Sequence, residues 1–404
     1  MAKTQRTVAA KSSMSYRDFL AQKSRTTAAI GFEPLWLPSF LYGFQSVLVE
    51  WALRKGRAAL LEDCGLGKGP QQLVWAENIV RKTGGNVLVV CPLTVAAQML
   101  REGEKFGIEV HRSFKGEVKR GITVTNYERL HYFDPTKFVG CSCDEASILK
   151  DFESKTREEV TLFLSKLKYR LLCTATPAPN DFIELGNHSE ALGEMTRNQM
   201  LAMFFTHDED STQGWNLKGH AKRRYWRWVA SWARAVRKPS DLGFDDGPFI
   251  LPPLEVRKHI VPSMMNRDGF IAVARSLQEW RAERRRSLHA RCEKVAEIVP
   301  KDRPCVCWTH LNDEADLLEK IVPDAVQVSG SMDDKLKEER LLAFADGKIR
   351  VLVTKPKIAG FGLNWQHCSD IVYFTDFSAE RYYQCIRRCY RFGQTKPVTV
   401  TRIV

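Results

Sequence analysis

Apolar residues fall into two kinds of stretch that alternate along most of the chain: short continuous runs, and longer stretches with apolar positions at helical spacing. From Phe40 the run FLYGFQSVLVEWALRKG has helical spacing. It is followed by AALLE, a helix from Pro70 to Lys82, NVLVVCP, a helix from Thr94 to Phe106, GITVTNYERL, FVGCSCDEAS, a helix near Ser154 to Leu167, and YRLLCTATP. Short strand-like runs separated by helices predict a parallel sheet with helices on both faces. Between about Gly186 and Val261 the alternation stops. There LKGHAKRRYWRWVASWARAVRKPSDLG is helical in period and rich in tryptophan and arginine, and the proline-containing DGPFILPPLEV reads as an extended linker. The alternation restarts with a long helical pattern from Arg267 to about Ile298. PCVCWTH, a helix from Asp313 to Ile321, AVQVSG, a helix from Lys335 to Ala345, RVLVT, DIVYFTDF and VTVTRIV follow. The predicted fold class is α/β, with two tandem lobes, each a parallel sheet flanked by helices, and a helical insertion between them. The expected boundaries are a basic arm over 1–30, a first lobe over 31–186, an insertion and linker over 187–262, and a second lobe over 263–404.

The length of 404 residues suits two domains with separate cores. Lysine and arginine number 61 against 48 acidic residues, and the net charge of +13 favours a polyanionic partner, nucleic acid first and a phosphate-rich membrane surface second. No apolar run is long enough to span a bilayer, and MAKTQRTVAAKSSMSYRDF lacks an apolar signal core, so a cytoplasmic location without membrane attachment is expected. The 11 cysteines sit mostly in apolar strand-like runs, which suggests reduced, buried thiols. Zinc shared by Cys141 and Cys143, or by Cys305 and Cys307, is the alternative, against which the absence of CxxC spacing counts.

In LLEDCGLGKGPQQL, Leu60 to Leu73, an apolar strand end enters a glycine-rich turn, then a lysine and a helix. A turn of Cys64, Gly65, Leu66 and Gly67 can converge its N–H groups on an anion. The helix offers its positive end, and Lys68 can reach terminal phosphates. A glycine turn without chemistry is the alternative, because Glu62 stands where a P-loop has its first glycine and Gly69 stands where it has Ser or Thr. Some twenty residues upstream, Phe44 and Gln45 suit adenine: a ring to stack, and an amide to pair with the exocyclic amine and a ring nitrogen. Asp144 and Glu145 follow a strand-like run, so one could hold Mg²⁺ and the other orient water; an ordinary acidic surface pair is the alternative. In parallel sheets ligands collect at the carboxyl ends of strands, so Gly65 to Lys68, Asp144 and Glu145, and Thr174 to Pro177 should share one cleft. In QCIRRCYRFGQ, Gln384 to Gln394, Arg388 and Arg391 lie three apart on a helix. Such a guanidinium pair on the second lobe can reach a triphosphate held by the first.

This order of motifs resembles superfamily 2 DNA-dependent ATPases, most closely the Swi/Snf-like branch, including its compact bacteriophage versions. The resemblance spans most of residues 40 to 400 and implies two RecA-like lobes that close on ATP with Mg²⁺. DCGLGKG resembles the family's phosphate loop, and DEASILKDFESK its acidic box, with Ser147 where histidine is usual. TATPAPNDFIEL resembles the segment in which Thr174 and Thr176 would couple nucleotide state to grip on nucleic acid. QCIRRCYRFGQ matches the family's Q-xxx-R-xx-R-x-GQ pattern, which implies catalytic roles for Gln384, Arg388 and Arg391 beside Glu145. GFGLNWQ resembles the preceding glycine-rich motif and adds Gly362 and Asn364 to the ATP site, although Lys355, Pro356 and Lys357 replace the usual small hydroxyl residues. Thr94, Thr125, Asn126 and Lys357 are the implied nucleic-acid contacts.

The implied activity is an ATP-driven motor tracking on duplex DNA in a prokaryotic or phage-infected cell. Gly69 is the departure that matters, since it cannot supply the hydroxyl that ligates Mg²⁺, and glycine weakens a helix by up to ~1 kcal/mol relative to alanine. A degenerate ATPase serving as a nucleic-acid or partner scaffold is therefore the competing expectation. The ExK fragment of Glu153 and Lys155 keeps a nuclease as a third, and the run Arg284 to Arg286 reads as a solvated face or a DNA contact.

Overall fold

The computed structural model describes residues 29–207, 214–261, 277–360 and 363–404. The basic arm of 1–30 lies almost wholly outside the described residues, as do 267–276 of the long helical pattern. The chain of the first lobe runs α1 (Gly43–Lys55), β1 (Arg57–Glu62), α2 (Lys68–Thr83), β2 (Asn86–Cys91), α3 (Leu93–Phe106), β3 (Val110–Arg112), β4 (Ile122–Asn126), β5 (Phe138–Asp144), α4 (Lys155–Ser165) and β6 (Tyr169–Cys173). It continues through α5 (Leu185–Leu192), α6 (Arg197–Phe204), the hairpin β7 (Phe205–His207) and β8 (Trp215–Leu217), α7 (Lys222–Trp232) and β9 (Ala233–Val236).

Strands such as NVLVVC and YRLLC carry almost no polar alternation, and both faces of each are buried, as a sheet covered on two sides demands. The seven strands are ordered β3-β4-β2-β5-β6-β1-β9 and are parallel throughout. One face packs Leu48, Val74, Ile79 and Met99 of α1, α2 and α3. The other packs Val160, Leu192, Met200, Tyr225 and Trp232 of α4 to α7.

The stretch read as a helical insertion belongs to this lobe. Within LKGHAKRRYWRWVASWARAVRKPSDLG the α-helix covers Lys222–Trp232, and Ala233–Val236 then turns into an edge strand beside β1, pairing Ala59 with Ala233 and Glu62 with Val236. The reason is burial. Tyr225 and Trp232 are fully enclosed in the first core with Trp228 packed beside them, while Trp226, Arg223, Arg224 and Arg227 remain exposed. Strand β9 also covers the edge that β1 would otherwise present.

In the second lobe β10 (Leu254–His259) is followed by α8 (Leu277–Arg286), α9 (Leu288–Ile298), β11 (Cys305–Trp308), α10 (Asn312–Ile321), β12 (Ala325–Val328), α11 (Asp334–Ala345), β13 (Val351–Thr354), α12 (Pro356–Ala359), β14 (Asp370–Phe374), α13 (Ala379–Ile386) and β15 (Val398–Ile403). Its six parallel strands are ordered β10-β15-β14-β11-β13-β12. The end of the expected linker is thus an edge strand, held by β15 from Leu254–Val398 to His259–Ile403. The described part of the long helical pattern is two helices, broken at Ser287 where ψ reaches 3°. Two tandem RecA-like lobes result. All 11 cysteines are buried and free, and among the described residues no helix is long and apolar enough to cross a membrane.

If α7 is core to the first lobe, Trp232→Ala costs about 3–5 kcal/mol in chemical denaturation, as deletion of a buried tryptophan side chain does. A cost below about 1 kcal/mol, the range of surface substitutions, would make α7 an outlying insertion after all.

Candidate active site

The phosphate-loop expectation corresponds to the turn between β1 and α2. Gly65 and Gly67 both have positive φ, 92° and 81°, which lets the chain fold back on itself before the first turn of α2. A Cβ on Gly65 would come within 2.9 Å of the Phe392 backbone nitrogen, so the second lobe closes directly on this turn. Lys68 donates through Nζ to the carbonyls of Glu62 at 2.9 Å and Asp63 at 3.1 Å. Val236 of β9 accepts from the Asp63 N–H at 2.9 Å and steadies the turn from the sheet edge. Glu62 is fully buried. Its Oε2 accepts from Gln71 at 2.9 Å, and its Oε1 has no hydrogen-bond partner.

Asp144 ends β5 and Glu145 follows it. Asp144 Oδ1 accepts from Gln72 Nε2 at 2.8 Å, and Gln72 Oε1 accepts from Ser142 at 2.7 Å, so α2 orients the carboxylate. Burial, and then the charge of Glu145, push Asp144 well above the usual carboxylate range, against the pull of Lys68. Glu145 adopts the left-handed conformation at φ 49°, rare for a residue with a side chain and typical of functional sites. It is 6% exposed, and its Oε2 has no hydrogen-bond partner.

From the second lobe Arg388, 1% exposed, places Nη2 4.0 Å from Glu145 Oε1 and 2.8 Å from Gln384 Oε1. Arg388 and Arg391 both donate to the Leu363 carbonyl, at 3.4 and 3.2 Å, so the glycine-rich segment serves as their rest. Burial, then the neighbouring Arg388, pull Arg391 down to about 10. Between the lobes lies a narrow cleft lined by Cys64, Gly65, Gly67, Lys68, Gly69, Val95, Gln98, Met99, Glu102, Asp144, Glu145, Arg388 and Arg391. Three cationic and three carboxylate side chains therefore face one enclosed space. Buried carboxylate oxygens without partners suit a divalent cation, so the donor set fits Mg²⁺.

Several expected residues lie elsewhere. Gln45 is committed to the backbone: its Oε1 accepts from the Tyr42 N–H at 2.9 Å and its Nε2 donates to the Leu66 carbonyl at 2.7 Å, so in this arrangement it props the turn rather than presenting an amide to a base. Phe44 is buried against Phe249. Thr174 is fully buried, and its hydroxyl accepts from the Thr176 N–H at 3.1 Å. Thr176 sits on the lobe interface, donating to Glu380 and accepting from Gln384 Nε2, both at 3.3 Å. Thr94, Thr125 and Asn126 are only 9%, 1% and 5% exposed, because α3 and the neighbouring strands cover the ends of β2 and β4. Of the four nucleic-acid expectations Lys357 alone is exposed. Asn364 is half-buried and does not line the cleft; Gly362 lies outside the described residues.

Residues outside the expected set complete the closure. Arg387 pairs with Asp63 at 3.1 Å and donates to the Cys64 carbonyl at 2.5 Å, Tyr383 bonds Asp63, and Lys150 pairs with Glu380. Arg387 adjoins Arg388 in the motif, but α13 ends at Ile386, so Arg387, Arg388 and Arg391 lie in the turn after it rather than three apart on a helix as expected, and Arg387 faces the glycine turn instead of the cleft. Only its neighbours give that away.

Residues 290–393 match the helicase conserved C-terminal domain family. No curated protein matches. Among solved structures the chain is similar to the Sulfolobus solfataricus SWI2/SNF2 ATPase core in complex with dsDNA, at 18% identity over 92% of this chain and 89% of that one, with a TM-score of 0.47. The helicase-like reading of the second lobe is borne out by this family match, which falls within that lobe.

Burial, only partly offset by Lys68 and Gln71, pushes Glu62 up from 4.5 to about 7. Across that window the folded chain keeps a proton that the unfolded chain has released, so stability falls as pH rises from 4.5 to 7. Glu62→Gln removes this slope. Its Tm should exceed that of the native chain by a few degrees at pH 8 and equal it at pH 4 in thermal melts; parallel curves for the two proteins would refute the assignment.

Proposed function

We propose that the chain is a nucleic-acid-dependent ATPase that works as a Swi/Snf-like motor on duplex DNA, hydrolysing ATP in the cleft between its lobes. The observation that carries this reading is the approach of Arg388 to Glu145, both buried, across the interface at the glycine turn. An exposed basic helix would not bring a guanidinium there.

In this reading the N–H groups of the Gly65–Gly67 turn and the first turn of α2 hold the phosphates of ATP. Lys68 exchanges its bonds to the Glu62 and Asp63 carbonyls for phosphate oxygens. Asp144, oriented by Gln72, would hold Mg²⁺, which when bound neutralises phosphate charge. Glu145 orients the attacking water and accepts its proton, its strained backbone aiming the carboxylate into the cleft. Arg388 and Arg391 neutralise the charge that develops on the transferring phosphoryl group, and they can do so only while the lobes are closed. Thr176, bonded to Glu380 and Gln384, links the closed state to the first lobe. The +13 charge and exposed arginines of α7 supply attraction to a DNA backbone. Gly69 keeps the second reading alive, a nucleotide-holding scaffold with little turnover.

Phosphate release is expected to rise on addition of duplex DNA more than with single-stranded DNA or RNA. Lys68→Ala and Glu145→Gln should abolish the stimulated rate, and Arg388→Ala should lower it by roughly 10³-fold or more. Turnover in the native chain no higher than in Glu145→Gln, with nucleotide still bound, would establish the scaffold instead.

A further inference from the structure

Gly69 offers no hydroxyl, yet the space such a side chain would take is filled. A Cβ built on Gly69 would lie 1.9 Å from Glu102 Oε2, 2.9 Å from its Cδ and 3.3 Å from its Oε1. Glu102 belongs to α3, thirty-three positions further along the chain, and its carboxylate stands over the first turn of α2 in the place of the missing side chain. Oε1 accepts from Gln98 Nε2 at 2.7 Å, one turn back on the same helix, which fixes the carboxylate plane. Oε2 is buried and has no hydrogen-bond partner. The helix is also held where it is: a Cβ on the next residue, Gly103, would come within 2.8 Å of both the Ile108 carbonyl and Val110, so α3 packs closely against the following segment.

We propose that Glu102 replaces the absent P-loop hydroxyl and supplies, directly or through a bound water, the ligand to Mg²⁺ that Gly69 cannot. The inference rests on the ATP-binding reading of the cleft. A second, independent feature marks the same space: Glu145, 6% exposed, also turns an unpartnered oxygen on a wall of the cleft that Glu102 and Asp144 share. Among the described residues no three acidic, histidine or cysteine side chains are gathered into a ready-made metal cage. That suits Mg²⁺, which keeps several waters and is held by one or two carboxylates together with substrate phosphates. Glycine at position 69 and glutamate at position 102 are then one solution in two parts. A threonine at 69 would have to push the end of the Glu102 side chain aside, and in the proposal the carboxylate makes the threonine unnecessary. A role confined to steadying Arg391 is the alternative. That guanidinium, however, donates to the Leu363 carbonyl, and Glu102 feels its charge without hydrogen-bonding to it.

The test is the affinity of a fluorescent, non-hydrolysable ATP analogue in Mg²⁺ and in EDTA, for the native chain, Glu102→Gln and the double variant Gly69→Thr/Glu102→Ala. Glu102→Gln is isosteric, and its melting transition reports whether the fold is kept. In Mg²⁺ it should bind the analogue about tenfold more weakly or worse, the usual cost of losing a group that supports a metal. In EDTA it should bind as well as the native chain or better, because a negative charge beside the phosphates has gone. The double variant, with a hydroxyl at 69 and room for it, should recover the Mg²⁺-dependent gain. An unchanged gain in Glu102→Gln, or an equal loss in both buffers, overturns the proposal and leaves Glu102 as a positioning residue. Failure of the native chain to bind in either buffer overturns the nucleotide reading itself, a different result.

Discussion

Charge complementarity across the cleft between the lobes is the constraint on which this structure depends. The first lobe lines the cleft with Glu102, Asp144 and Glu145 against Lys68, and the second lobe answers with Arg388 and Arg391. Neither half alone holds a balanced set, and charges kept from water are costly unless paired. The lobes therefore favour one another's company at this seam, reinforced at its edges by Arg387 with Asp63 and Lys150 with Glu380. In the proposed function a triphosphate with a divalent cation would alter that balance, and so couple nucleotide state to lobe arrangement.

The fold delivers these groups by a simple device repeated twice. In a parallel sheet every strand ends on the same edge, and the loops after β1 and β5 therefore bring Lys68 and Asp144 into one cleft although they are far apart in sequence, whereas Thr174 to Pro177, after β6, do not line it. The second sheet presents α13 and the segment after it to that edge. Supports converge from outside the motifs: Gln45 holds the Leu66 carbonyl, Gln72 holds Asp144, and β9 holds Asp63. None of these acts on a phosphate, yet each limits how far the turn and the carboxylate can drift.

Gly69 illustrates how a departure from a motif is to be weighed. In one dimension it reads as loss of a metal ligand. In three dimensions the volume is occupied by a carboxylate from another helix, so the position that lost a hydroxyl still faces an oxygen.

The sequence by itself determined the two alternating α/β lobes, the glycine turn with Lys68, the acidic pair at the end of β5 and the arginine pair three residues apart, because periodicity and motif spacing are local properties. It misjudged ARAV and the end of PPLEV, whose strand character comes from neighbours in the sheet, β1 and β15, rather than from their own composition. It also assigned Gln45 to a base and Thr125 and Asn126 to a nucleic acid, without access to the backbone groups and strands that enclose them. Only the tertiary structure decided that Arg387 grips Asp63 and that Glu102 stands over Gly69. Such pairings depend on where separate elements meet in space, and a contact between residues tens to hundreds of positions apart leaves no mark in the spacing of either one.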